Sequence, residues 1–118
     1  MQQSGMPDEL HTRYANAVLR IETMLSPLDD AYTVHGATAL RNELNERTPF
    51  LGQVGMASAR GSMRMAATEL HVQSTALLDA LDIALRTYKP QDQLMVIAQV
   101  QRWRTVLRDH RRNIGLGA

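Results

Sequence analysis

At 118 residues the chain has room for a single domain. Its residues are 44% hydrophobic but only 4% aromatic, so the core must be built from Leu, Ala, Val, Ile and Met, a palette that suits helix packing better than a sheet. The net charge of +1 argues against a strongly basic nucleic-acid binder, and the lack of cysteine excludes disulfides and thiolate metal sites.

The opening segment MQQSGMPDEL has neither a basic n-region nor an apolar h-region. No apolar run reaches the ~18 residues needed to span a membrane. The expectation is a cytoplasmic protein with no membrane partner. Charge is unevenly spread: residues 1–48 carry 4 basic and 7 acidic groups, residues 49–90 carry 4 and 3, and residues 91–118 carry 5 and 2. The carboxy-terminal end is therefore the basic end.

The spacing predicts a first helix from Pro7 or Asp8 to about Leu25. Proline fits the first helical position, and Asp8 and Glu9 face the positive end of the helix dipole. Leu10, Tyr14, Ala17, Val18, Ile21 and Leu25 recur at spacings of three and four. Ser26-Pro27-Leu28-Asp29 then reads as a second start, with Ser26 as cap and Asp29 as the acid reaching back. A short helix to about His35 follows, and Gly36 is suited to the left-handed conformation that closes it. Ala37 to Arg47 carries Ala37, Leu40 and Leu44 on a narrow stripe. Whether residues 27–47 form one kinked helix or two is left open.

Residues 48–61, TPFLGQVGMASARG, read as an irregular Gly-rich connector: Pro49 stops a helix, and Gly52, Gly55 and Gly61 lower helix propensity. The connector nevertheless holds Phe50, Leu51, Val54 and Met56. Such a segment is either tucked under the bundle as a satellite of the core or offered to a partner. With Met63 these residues form the candidate partner-binding patch, rimmed by Gln53, Arg60 and Arg64. The adaptable side chains of Met56, Met63 and Met65 suit such a surface.

The longest apolar period runs from Ser62 to Lys89. Met63, Ala67, Leu70, Ser74, Leu77, Leu81, Ala84 and Tyr88 make one stripe, widened by Ala66, Leu78 and Leu85. At ~1.5 Å per residue this helix spans roughly 40 Å, and the other helices must be laid along it. After the break at Lys89-Pro90, a second long helix is predicted to about Asn113, with the stripe Val96, Val100, Trp103, Leu107 and His110. Leu94, Met95, Ile97 and Val106 make its first half apolar most of the way round, so it needs cover on more than one side. Residues 1–6 and 114–118 are expected to fray. The whole is an all-α small helical bundle over 1–118, with two long antiparallel helices and two or three shorter ones before them.

No catalytic, cofactor or metal motif is present. His11, His35, His71 and His110 lie on different segments, and none forms a two-ligand helical pattern. Arg13 and Arg20 share a helix face, as in helical mutases that hold carboxylates with arginine, but nothing supplies a catalytic acid. Arg102, Arg104, Arg108, Arg111 and Arg112 make the last helix basic, the basis of an alternative nucleic-acid reading. Against it, cations near a helix carboxy terminus are stabilised by the dipole, and Trp103 is the one aromatic ring there.

A short, cysteine-free helical chain, with a Phe- and Met-containing connector before MRMAATELHVQSTALLDALDIAL, resembles the small bacterial QslA-like anti-activators of quorum-sensing transcription factors. The resemblance implies a non-enzymatic protein, a helical homodimer, that binds the ligand-binding domain of a LuxR-type activator. It would thereby prevent the activator from dimerising and binding DNA. Independently, two long helices with broad apolar faces in so short a chain argue for a twofold dimer.

Overall fold

The computed structural model describes residues 8–57 and 61–116. Among them the chain forms four α-helices, α1 (Asp8–Leu25), α2 (Val34–Ala57), α3 (Gly61–Thr87) and α4 (Pro90–His110), with a 3-10 turn at Ser26–Leu28 after α1. The all-α bundle expected from composition is what folds. Each helix runs antiparallel to the one before it, as the cross-helix contacts show by their opposed numbering. Arg13 and Arg20 of α1 meet Phe50 and Glu43 of α2. Gly52 and Gly55 of α2 lie against His71 and Thr68 of α3. On the other side of α3, Glu69 and Ser74 bond His110 and Trp103 of α4. The result is an up-down-up-down rod of 51 × 24 × 19 Å.

The stripes predicted for the long helices are those that face the core. Met63, Ala67, Leu70, Ser74, Leu77, Leu81 and Ala84 are buried on α3, and Val96, Val100, Trp103, Leu107 and His110 on α4. Tyr88 departs from its stripe. It has φ 56° and is 63% exposed, the left-handed residue that turns the chain from α3 into α4. Thr87 donates to Asp92 Oδ2 at 2.6 Å across this turn.

The stretch between α1 and α2 corrects several expectations. Ser26 caps nothing: the turn begins at Leu25 without a side-chain cap, and Ser26 Oγ instead accepts from Arg104 at 3.4 Å. Asp29 takes both prongs of the Arg104 guanidinium, at 2.7 and 2.8 Å. The short helix to His35 is absent, and α2 starts at Val34, capped by Thr33, whose Oγ1 accepts the Gly36 N–H at 3.0 Å. Gly36 is therefore inside a helix rather than closing one. A Cβ there would lie 2.8 Å from the capping oxygen and 3.2 Å from Pro27.

The largest correction concerns the connector. Residues 48–57 are the second half of α2, and only 58–60 lie outside the described residues. Pro49 removes one helical bond, but it sits on the exposed side, where the freed carbonyl of Asn45 faces water. Gly52 and Gly55 do not loosen the chain. A Cβ at Gly52 would stand 3.0 Å from the His71 ring, and one at Gly55 3.1 Å from Thr68 Oγ1 and 3.4 Å from its backbone nitrogen. The glycines let α2 and α3 approach closely, and the burial of Leu44, Leu51 and Val54 along that contact offsets their poor helix propensity.

The carboxy-terminal end is also more ordered than expected. Ile114 is fully buried, and Gly115, at φ 79°, ends the helix with bonds from Gly115 N to Arg112 O and from Leu116 N to Arg111 O. This pair of bonds around a left-handed glycine is the Schellman closure. His11 Nε2 lies 2.9 Å from the Ile114 carbonyl and so links the end of the chain to α1. Residues 1–6, 117 and 118 of the expected frayed ends lie outside the described residues.

Tyr14 is fully buried, and its hydroxyl has no hydrogen-bond partner among the described residues. Burial pushes its ionisation well above the ordinary phenol value, since a phenolate would form in an apolar interior. A raised folded-state value means stability is complete below the unfolded value of ~10 and is lost as pH climbs beyond it. Tyr14→Phe is expected to be neutral to ~1 kcal/mol stabilising at neutral pH and to unfold less readily above pH ~10. Circular dichroism followed against pH for both proteins checks this.

Candidate interaction surface

The five residues singled out in the sequence do not form one surface. Leu51 and Met63 pack in the core, 0% and 2% exposed, and Val54 joins them at 1%. Helical geometry turns Leu51 and Val54 of α2 inward, and Met63 lies on the buried side of α3, so they make the satellite-core alternative rather than an offered patch. Phe50 is half-buried beneath the Arg13 guanidinium, whose carbon lies 5.1 Å from the ring centroid. Met56 alone is open, at 83%.

A different apolar surface does exist, on the outer side of α3 and α4. Met65 (57% exposed), Val72 (54%), Ala76, Ala80 and Ile83 (41%) recur along α3 at helical spacing. Beside them on α4 is Met95, 56% exposed, and Leu94, 65% exposed, precedes it on the same helix. Ala76 and Ala80 are too small to fill the space between the helices. They leave a groove of about 430 Å³ walled by Ile83 and Met95, with Asp79, Asp92 and Gln99 at its edge. Contiguous apolar exposure of this kind marks interaction surfaces more often than scattered apolar residues do. The sequence carried half of this signal: the first half of the last helix is apolar most of the way round, and no second layer of the bundle covers Leu94 and Met95. The α3 half carried no signal, because alanines and isolated Val and Ile look alike on covered and open faces.

The edge of this surface is charged unequally. Among the described residues Asp79 makes no ion pair, and the Asp92 carboxylate accepts from the Thr87 hydroxyl. Arg102, on α4 beside Trp103, likewise makes no ion pair among them. The groove thus has carboxylates at the Ile83–Met95 end and a guanidinium toward the other.

Several other charged residues hold the bundle together. Arg104 and Arg111 reach across to Glu22 and Asp29, closing α4 onto α1, so two of the five arginines of the basic helix are committed within the fold. Arg13, Arg20 and Arg47 line a cleft of about 420 Å³ between α1 and α2, but Arg20 and Arg47 both turn to the buried Glu43 carboxylate, and Glu46 stands beside them. That arrangement satisfies Glu43 and leaves no guanidinium pair aimed at a ligand. His110 Nε2 is 2.9 Å from Glu69, and no three His, Asp or Glu among the described residues could hold a metal ion together. No described helix is long and apolar enough to cross a membrane.

No protein-family model, no curated protein and no solved structure matches this chain.

Proposed function

We propose that this chain is a non-enzymatic regulatory protein that binds a transcription activator of the LuxR type and covers the surface through which that activator dimerises. The observation that carries the reading is the exposed apolar groove of α3 and α4, which offers contact area and no paired nucleophile and base. Two ridges flanking an alanine-floored trough suit the apolar face of a helix. Inhibition then follows mass action: activator held in the complex is withdrawn from its own dimer.

The test is to mix purified protein with a LuxR-type activator and its operator DNA. Complex formation and loss of DNA binding are expected for wild type. An Ile83→Asp, Met95→Asp variant, with helicity checked by circular dichroism, is expected to bind the activator at least ~30-fold more weakly, the cost of losing a buried anchor. Absence of any complex with wild type removes the regulator reading.

A further inference from the structure

The groove between α3 and α4 is lined by hydrogen-bond acceptors and by no cation. Its apolar walls are Ala76, Ala80, Ile83 and Met95, and the polar groups among them are the carboxylates of Asp79 and Asp92 and the amide of Gln99. Arg86 and Lys89, the cations nearest to it along the chain, are not part of the lining. Elsewhere on this protein exposed carboxylates are met from within the fold, as Arg104 meets Asp29 and Arg41 meets Asp82. Asp79 has no such ion pair among the described residues, and Asp92 accepts from the neutral Thr87 hydroxyl. Gln99 Oε1 is shut off from water with no hydrogen-bond partner among the described residues, an acceptor whose lost solvation is not made good. Two carboxylates and an unpaired amide oxygen at one apolar trough ask for a donor that carries positive charge.

We infer that the segment received by this groove is a basic amphipathic helix of a partner protein. Its apolar residues, at i, i+3, i+4 and i+7, enter the alanine trough, and a lysine or arginine beside them meets Asp79 and Asp92 at the Ile83–Met95 end. The inference deepens the proposed function and rests on it for the activator as the source of the helix; the chemistry of the helix is read from the groove alone. Length favours a helix over a small cation, because the exposed apolar stripe from Met65 to Ile83 extends for roughly 27 Å, about five helical turns. The same ammonium or guanidinium offers N–H groups to Gln99 once its amide swings toward the groove. Exposed charge pairs add little to affinity one by one, but they choose between helices of equal hydrophobicity. A helix with glutamate in place of the cation sets like charges against Asp79 and Asp92.

Two labelled synthetic peptides of about 18 residues, with one leucine face in common and either lysine or glutamate flanking it, serve as probes. Each is titrated with the full chain to about 500 µM and followed by fluorescence anisotropy. The lysine peptide is expected to bind about tenfold more tightly than the glutamate peptide, and the gap to narrow as salt rises. Ile83→Ser with Met95→Ser, which lowers the walls of the trough without adding charge, is expected to weaken both peptides about tenfold. Asp79→Lys is expected to level the two affinities, and Asp79→Lys with Asp92→Lys to reverse their order. Circular dichroism checks the fold of each variant; should the double change disturb the start of α4, Asp79→Lys alone decides, since that side chain has no ion pair to lose among the described residues. A lysine peptide that stays free at the highest concentration, equal binding of the two peptides to wild type, or a preference untouched by Asp79→Lys overturns the inference. A LuxR-type activator tested beside the peptides keeps the two proposals apart. An activator that binds wild type and Asp79→Lys alike leaves the regulator standing and removes the basic helix. A lysine peptide that obeys the charge change, beside an activator that forms no complex, does the reverse.

Discussion

Trp103→Ala is expected to cost about 3–5 kcal/mol of folding stability, the usual penalty for emptying a buried aromatic site. Trp103 is the largest fully buried side chain, and its indole N–H donates to Ser74 Oγ at 2.8 Å, a bond between α3 and α4 inside the core. Alanine opens a cavity between the two helices and leaves the serine hydroxyl without its donor. Against a total stability of roughly 5–15 kcal/mol for a domain of ordinary size, the loss removes much of the margin. Urea denaturation followed by circular dichroism measures it. Trp103→Phe, which keeps most of the volume, is expected to lose clearly less, and a Phe variant as unstable as the Ala variant would show that packing volume is not what matters at this site. Ser74→Ala isolates the hydrogen bond and is expected to cost ~1–3 kcal/mol, because a buried indole N–H is then unpaired.

The second large effect is expected at Gly52 and Gly55. If they lay in a flexible connector, a larger side chain would be tolerated. Where α2 passes this close to α3, leucine at either position must push the helices apart or distort the His71 and Thr68 environment. Gly55→Leu is expected to destabilise by about 1–3 kcal/mol, and the Gly52→Leu, Gly55→Leu double variant by more than either change alone. Gly55 carries the firmer expectation, since one of the atoms in the way is backbone and cannot rotate aside. Thermal melts of the three variants check this, and an unchanged midpoint for Gly55→Leu would contradict the close packing of α2 on α3.

Much of the fold was legible because periodicity and local chemistry agreed. The core stripes of α1, α3 and α4 were readable apart from Tyr88, which lies in the turn after α3, and Pro90 marked the start of α4. Residues 48–57 failed because Pro49, Gly52 and Gly55 have a strong local meaning, weak helix propensity, and a stronger tertiary one that no single-chain periodicity exposes. What decides that region is the space needed by His71 and Thr68, residues on another helix. The candidate patch failed for the same reason: once the segment is helical, Leu51 and Val54 turn inward and Met56 outward. Gly36 was misread similarly, since its neighbour Thr33, rather than the glycine, marks the helix boundary by capping it. The surface that does form was half legible, at Leu94 and Met95, and otherwise awaited knowledge of which side of α3 its neighbours leave bare.

The polar closure of α4 onto α1 has a consequence for the order in which the molecule opens. The three sequential hairpins pair segments adjacent in the chain, whereas the contacts joining Glu22 and Asp29 to Arg104 and Arg111, and His11 to Ile114, are distant in sequence and carried by exchangeable polar groups. Short-range pairing favours rapid folding, and elements held on one flank by solvated ion pairs detach at lower free energy than those packed on both. Amide hydrogen exchange is accordingly expected to be slowest in the facing halves of α2 and α3 and fastest, among the four helices, in α1, with salt accelerating the α1 amides as the ion pairs along that flank are screened.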